Sequence, residues 1–323
     1  MINFKVLENH LIDRILDEAF LLLEETGVEV QCDELIDRME KAGLSVNKET
    51  RRITFPRSIT EQSIASSPET IQLFDRSGNP FSKIGGNKTN FVPASSALNI
   101  LDWRTGERRT AQTADFIEYI KVADQAKHIS YPSTAFSTDD IPQDIADAWR
   151  LYMVMSYSNK PVVSGAFTHH GVPRMARMME CFRESQSEMT EKPMAVFTCC
   201  PNSPLRWGID SSHNLIDCVE KGIIVEVVPV LMIGLAVPVT TVGALVMQTA
   251  EVLSGVVFTQ LIKPGSPVIF GGAPGAFHMQ LMSAPMTGVE ALQLYCGYAQ
   301  ICQHLKIPSQ AYMGLGDGKF NDP

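Results

Sequence analysis

The chain has no surplus of positive charge. Its 27 Lys and Arg stand against 36 Asp and Glu, a net charge of −9. No basic stripe breaks that balance, so nucleic acid is not an expected partner. The N-terminal MINFKVLENHLIDRILDEAF is charged throughout and lacks the apolar core of a signal peptide. No Gly-x-Gly-x-x-Gly follows any strand-like segment, which removes the usual dinucleotide fingerprint. Gly271-Gly272-Ala273-Pro274-Gly275 could face an anion, but it lacks the Lys-Ser/Thr of a P-loop and reads first as a turn. The seven cysteines are odd in number and show no C-x-x-C spacing. They read as free thiols in a reducing cytoplasm, with no metal site expected.

What is present is an ordinary globular composition, 45% hydrophobic and 20% charged, over 323 residues. The most apolar stretch is Gly222 to Ile262. Ile223 to Met232 reads as a strand buried on both faces and carries a single acid, Glu226. Pro229, Gly234 and Pro238 interrupt the run. It restarts at Thr240/Thr241 as a helix that ends at Lys263-Pro264-Gly265. No charge occurs from Val227 to Ala250, long enough for a bilayer. The prolines, the glycines and the missing Lys/Arg flanks favour a buried strand and helix, so no membrane association is expected.

Before residue 90 the pattern is mixed. Leu7 to Thr26 and Asp33 to Ala42 read as amphipathic helices, Leu44 to Phe55 and Ile71 to Ile84 as hairpins, and Pro56 to Ser67 as a short helix. This predicts an N-terminal α+β extension over 1–90. From about residue 91 strands and helices alternate. The expected strands are His128 to Phe136, Lys160 to Phe167, Met194 to Cys199, Ile223 to Met232, Ser266 to Phe270 and Ile307 to Met313. Helices are expected at Thr113 to Ala126, Asp144 to Ser158, Val172 to Glu184, Ser211 to Lys221, Thr240 to Ile262 and Thr287 to Leu305. So many βα units favour an α/β fold of the TIM (β/α)8-barrel type over 91–323. The sequence runs out after the seventh strand, in GLGDGKFNDP, and this predicts an incomplete barrel lacking its last unit.

In such a barrel the chemistry lies at the C-terminal strand ends. Those ends carry Ser133 to Asp139, Thr168-His169-His170, Cys199 to Pro204, Glu226, Gly271 to His278, and Gly314 to Lys319. Adjacent histidines and adjacent cysteines lack the spacing of zinc ligands and read as structural or surface groups. Glu226 is the sharpest feature. A carboxylate among Ile and Val points either to a buried ion pair, with Arg206 a candidate partner, or to a cationic ligand. Phe270 and Tyr312, near strand ends, could offer ring faces to a quaternary ammonium, although most such aromatics are core.

Asn202-Ser203-Pro204-Leu205-Arg206, Ala236-Val237-Pro238-Val239-Thr240 with Gly243-Ala244-Leu245, Ala250-Glu251-Val252-Leu253 and Pro264-Gly265-Ser266-Pro267-Val268 resemble the trimethylamine/glycine-betaine:corrinoid methyltransferase family. The terminal Asp317-Gly318-Lys319 is similar to that family's Asp-Ser-Lys segment, and family members continue well past it. The resemblance implies a TIM-barrel methyltransferase that moves a methyl group from a methylated amine to the Co(I) of a separate corrinoid protein. With standard residues only, the chain resembles the non-pyrrolysine branch, which acts on betaine-like quaternary amines.

The resemblance further implies no tightly bound cofactor, a corrinoid protein and a small methylated amine as partners, and a cytoplasmic enzyme. A homo-oligomer is expected of soluble enzymes of this kind. Candidate site residues are then Glu226, Asn202 and His278 for the reacting amine, and Phe270, Tyr312, His170 and Asp317 for substrate binding. A non-catalytic ligand-binding barrel and a corrinoid-independent barrel enzyme stay open beside it.

Overall fold

The structure, a computed structural model, describes residues 5–94, 97–168 and 171–313. They form two compact units. One takes in 5–69, 199–216 and 226–313, and the other the remaining described residues from 70 to 198 together with 217–225. These units cut across the expected boundary near residue 90, because the N-terminal helices pack with the C-terminal half of the chain.

The first unit opens with α1 (Asn9–Leu21). Its buried residues Ile12, Ile15, Leu16, Ala19 and Phe20 recur at helical spacing and form one apolar stripe. A π-helical turn, Leu22–Thr26, ends it at Gly27. Gly27 has φ +65°, and a Cβ there would lie 2.1 Å from the Ile53 carbonyl oxygen, so only glycine fits. Strand β1 (Val28–Val30), helix α2 (Asp33–Lys41), strands β2 (Ser45–Asn47) and β3 (Arg52–Thr54), and helix α3 (Arg57–Ser66) follow. Asp33 and Glu34 sit in the first turn of α2 and Arg38 and Lys41 in its last, matching the helix dipole at both ends.

The second unit begins with a hairpin of β4 (Thr70–Phe74) and β5 (Pro80–Gly85), then a second hairpin of β6 (Asn99–Leu101) and β7 (Arg108–Thr110). Arg109 pairs with Asp102 at 2.9 Å and Asp115 at 2.7 Å. Asp115 also closes the capping box of α4 (Thr113–Gln125). Helix α5 (Ala146–Tyr157), strand β8 (Val162–Ser164), helices α6 (Gly171–Glu180) and α7 (Gln186–Glu191), and strand β9 (Ala195–Cys199) complete it. β8 and β9 pair in parallel, Val163 opposite Val196, and both are buried. A parallel pair joined by a helical crossover is the βα unit that the sequence predicts.

The chain continues through β10 (Arg206–Trp207), α8 (Ile209–Lys221), β11 (Ile224–Val227), β12 (Met232–Ile233), α9 (Thr241–Ile262), β13 (Val268–Phe270), β14 (Gly275–Ala276) and α10 (Val289–Leu305). In the first unit the order β10-β1-β3-β2 makes one sheet, with Glu29 opposite Arg206. Helix α9 is the core of that unit, and α1, α3 and α10 pack on it. The hydroxyl of Thr240 caps it by accepting from Gly243 N–H at 3.2 Å. It is long and apolar enough to cross a membrane, yet 72% of its most apolar window is buried by protein. Each buried Leu, Val or Phe along it contributes about 1.5–3 kcal/mol through burial.

The class is therefore α/β, as expected, but among the described residues the strands do not close an eight-stranded barrel. The segments expected as strands at 128–136 and 307–313 make only isolated bridges, Ser133 with Val163, Phe136 with Ala97, and Ser309 with Phe270. Pro132 and Pro308 lie in these segments and each lacks a donor for the ladder, although the Pro308 carbonyl still accepts from Phe270 N–H at 2.8 Å.

One buried acid in α9 locks a loop. Glu251 is 1% exposed and accepts from Ser203 Oγ at 2.7 Å and Leu205 N–H at 2.9 Å. Burial raises its carboxyl above the usual glutamate range, with both hydrogen bonds pulling the other way. The folded chain then holds a proton that the unfolded chain has released. The Glu251 contribution to stability is largest at low pH and falls as pH rises from about 4.3, the unfolded value, through the raised folded one. Urea denaturation across that window is expected to show a shallower pH slope for Glu251→Gln than for the parent chain. Equal slopes would contradict it.

Candidate functional site

The C-terminal ends of β11 and β13 meet in the first unit. Gly271 N–H donates to Val227 O at 2.9 Å, and Val228 N–H to Cys199 O at 3.0 Å. Beyond them the two loops rise together: Ala273 donates to Pro229, Gly275 to Leu231 and Phe277 to Ile233, with β12 and β14 pairing in parallel. Strand ends joined this way are where barrel enzymes place their chemistry.

Glu226 lies at the base of this arrangement and is fully buried. Its strand is buried along its whole length, so the carboxylate sits among Ile224, Val225 and Val227. Arg206 is exposed and makes no salt bridge with it among the described residues. The glycines after β13 are explained by this carboxylate and by α9. A Cβ on Gly271 would lie 2.8 Å from Glu226 Oε1 and 2.6 Å from Val228 Cγ2. A Cβ on Gly272 would lie 1.9 Å from Gln248 Nε2. The glycine run is thus a close approach of backbone to two polar side chains.

Tyr298 of α10 lies close enough to Glu226 to feel its charge, Tyr295 packs on Tyr298 with ring centroids 6.0 Å apart, and Gln248 of α9 meets the backbone at Gly271 and Gly272. Gln248 Nε2 donates to Gly271 O at 3.3 Å, and its Oε1 is buried without a hydrogen bond. Tyr298 O–H lies 2.7 Å from Gln310 O and 3.3 Å from Gly272 O. The Tyr295 hydroxyl is buried without a partner, and burial pushes its pKa up to about 12. Burial, then the neighbouring Cys302, Tyr295, Glu226 and Tyr312, hold Tyr298 well above the ordinary phenol value. Burial, with Cys199 and Glu226 adding to it, pushes the Cys200 thiol up to about 12, so it stays protonated at neutral pH. Unsatisfied buried oxygens beside a buried carboxylate call for an explanation, and a polar ligand is one. Among the described residues no three His, Cys, Asp or Glu converge as metal ligands.

The other candidate residues are dispersed. The Phe270 ring is fully buried and stacks on Tyr298, centroids 5.8 Å apart and planes 20° apart. Tyr312 is partly buried close enough to Tyr298 to raise its pKa. Asn202 is exposed on the loop that Glu251 anchors, its backbone paired with Arg206. His278 is exposed beyond β14, its Nδ1 accepting from Leu281 N–H at 3.2 Å. His170 and Asp317 lie outside the described residues.

Sequence reasoning missed Gln248, Tyr295 and Tyr298. A signal existed for the first. Gln248, Glu251 and Ser254 are polar positions three apart in an otherwise apolar helix, which puts them along one side.

The fold and the site define an α/β protein with a buried acid on β11 and buried tyrosines on α10. A family model described as trimethylamine methyltransferase (MTTB) matches residues 1–323, and the chain belongs to that family. It is 25% identical over 301 residues to the trimethylamine methyltransferase MttB of Desulfitobacterium hafniense DCB-2, covering 93% of this chain and 61% of that protein. It is 25% identical over 320 residues to the glycine betaine methyltransferase of D. hafniense Y51, covering 99% and 66%. It is 23% identical over 306 residues to the proline betaine:corrinoid methyltransferase of Eubacterium limosum, covering 92% and 62%. The chain thus spans somewhat less than two thirds of the length of these relatives. The crystal structure of the Methanosarcina barkeri monomethylamine methyltransferase matches with TM-score 0.63 at 10% identity, over 95% of this chain and 62% of that one. That likeness shows the shared barrel-type fold.

The close approach at Gly271 has a measurable consequence. Gly271→Ala is expected to cost about 1–3 kcal/mol in chemical denaturation, because Val228 and the Glu226 carboxylate would have to move. Gly288→Ala, whose nearest neighbour is Glu290 Oε2 at 3.3 Å, is expected to change stability by less than about 0.5 kcal/mol. Equal effects at the two positions would contradict the tight fit.

Proposed function

We propose that the protein takes a methyl group from a quaternary or tertiary methylated amine of the betaine type and delivers it to the Co(I) of a separate corrinoid protein. The observation that carries this reading is Glu226, a fully buried carboxylate at the end of an apolar strand. Membership of the trimethylamine methyltransferase family supports it.

The corrinoid supplies the cobalt nucleophile that accepts the methyl carbon. The C–N bond breaks and both its electrons stay on nitrogen. A quaternary nitrogen leaves as a neutral amine and needs no proton from the chain; a tertiary amine reacts as its protonated ammonium form, so that it too leaves as a neutral amine. The tasks of the chain are to hold the cation and to aim one methyl group outward.

Glu226 supplies the negative charge. Tyr298, with Phe270 and Tyr295 packed against it and Tyr312 near it, is the candidate aromatic side of the site. Asn202 and His278 are the candidate polar contacts from the loops. Leu235, Val239, Met279, Leu281 and Met282 are exposed on the loops beyond β11 and β13. Such an apolar rim fits cover by the corrinoid-carrying partner, with Met providing adaptable surface. Free cysteines throughout the described residues fit a reducing cytoplasm, and a symmetric homo-oligomer remains the expected assembly.

The charge on nitrogen is full in the bound substrate and falls in the transition state. A carboxylate beside it therefore favours the ground state. In assays that follow the loss of Co(I) absorbance, glycine betaine, carnitine, choline and trimethylamine are the substrates to compare. Glu226→Gln is expected to raise KM about tenfold or more, while kcat stays within about threefold. Turnover with none of the amines would contradict the function. An unchanged KM would contradict the role of Glu226.

A further inference from the structure

The methyl-transfer reading gives work to Glu226 and to the rings, and leaves one acceptor of the first unit without any. Gln248, on α9, is fully buried. Its Nε2 donates to Gly271 O at 3.3 Å, just past the end of β13. That bond fixes the amide: turned over, it would bring Oε1 against the Gly271 carbonyl, acceptor against acceptor. Oε1 is therefore the end turned away from Gly271, and it is buried with no hydrogen-bond partner among the described residues.

The donors named beside it are committed elsewhere. Gly271 N–H goes to Val227 O at 2.9 Å, and Tyr298 O–H lies 2.7 Å from Gln310 O and 3.3 Å from Gly272 O. Two consecutive glycines bring the amide and the acid to one strand end. A Cβ on Gly272 would lie 1.9 Å from Gln248 Nε2 and 3.3 Å from Tyr298 Cε1, and one on Gly271 would lie 2.8 Å from Glu226 Oε1. All of these residues belong to the same compact unit.

The two acceptors differ in what they take. A carboxylate is the stronger acceptor for a charged N–H, so the single N–H of a protonated tertiary amine goes to Glu226. A quaternary amine has no N–H to give. Neither ammonium group supplies the donor that Gln248 Oε1 lacks, and an ionised ligand carboxylate, an acceptor only, does not supply it either. An alcohol does. We propose that the ligand carries a hydroxyl close to its methylated ammonium group, and that this O–H donates to Gln248 Oε1. The substrate class is then a hydroxylated methylated amine, with choline its simplest member. This rests on the methyl-transfer reading for the ammonium end of the ligand. Gln248 is a specificity residue here; the C–N bond that breaks lies elsewhere on the ligand.

Choline and trimethyl(propyl)ammonium share their charge and nearly their shape, and differ in one terminal group, O–H against CH3. A buried site without the hydrogen bond favours the methyl group, which leaves water more readily than a hydroxyl. Calorimetric titration of the whole chain, with no corrinoid protein present, is expected to give the opposite order, choline binding about tenfold or more tighter. Gln248→Met is expected to abolish that preference. Gln248→Glu is expected to keep most of it, because a protonated acid donates to Gly271 O and still accepts from the ligand. Equal binding of the two cations by the parent chain, tighter binding of trimethyl(propyl)ammonium, or a choline preference that survives Gln248→Met would each overturn the proposal. Methyl transfer from several amines without a choline preference would sink this inference and leave the methyl-transfer reading standing. Choline binding that depends on Gln248, without methyl transfer to Co(I), would do the reverse.

Discussion

A 22-residue helix largely buried in its unit needs partners for the polar groups it carries, and the first unit supplies most of them. Gln248, Glu251, Ser254 and Gln260 are the polar side chains at issue. Glu251 takes the loop of Ser203 and Leu205, and Ser254 Oγ takes the indole N–H of Trp207 at 3.0 Å. Gln260 reaches Ser66 of α3, and the turn at Gly265 and Ser266 that leads into β13. Gln248 touches the backbone after β13. Most of these side-chain contacts reach a loop or a strand end, and the apolar remainder packs against α1, α3 and α10.

Glu226 depends on that frame. The strand that bears it stays in place because β13 is held beside it, with Gly271 and Gly272 allowing the backbone to pass close to Glu226 and Gln248. The site thus combines a buried acid with aromatic rings and two hydroxyl or amide oxygens that find no partner among the described residues. This is the inventory that a small cation requires. In the proposed reading, the residues assigned to cation recognition are also the ones that pack the helix.

The helices were the most legible part of the sequence. The stretch expected from Thr240 to Ile262 forms Thr241–Ile262, and α1, α2, α3 and α4 start and stop close to where periodicity and caps place them. Strands were less legible where proline intervenes. The run expected from Ile223 to Met232 breaks around Pro229 into β11, Ile224–Val227, and the start of β12 at Met232, and the segments with Pro132 and Pro308 make only bridges. In the site, Glu226 stood out because an acid has no ordinary place in an apolar strand. Phe270 could not be oriented from sequence: a strand-end position does not say which way a ring points, and this one stacks on Tyr298.

The central claim is that the Glu226 carboxylate meets the positive charge of the ligand. The most direct measurement compares glycine betaine with 3,3-dimethylbutanoate, which has the same shape and carboxylate but a neutral carbon in place of nitrogen. Binding to the parent chain and to Glu226→Gln is measured by calorimetry. The account predicts that the parent chain prefers the cation about tenfold or more and that the preference collapses in Glu226→Gln. An equal preference in both proteins would contradict it.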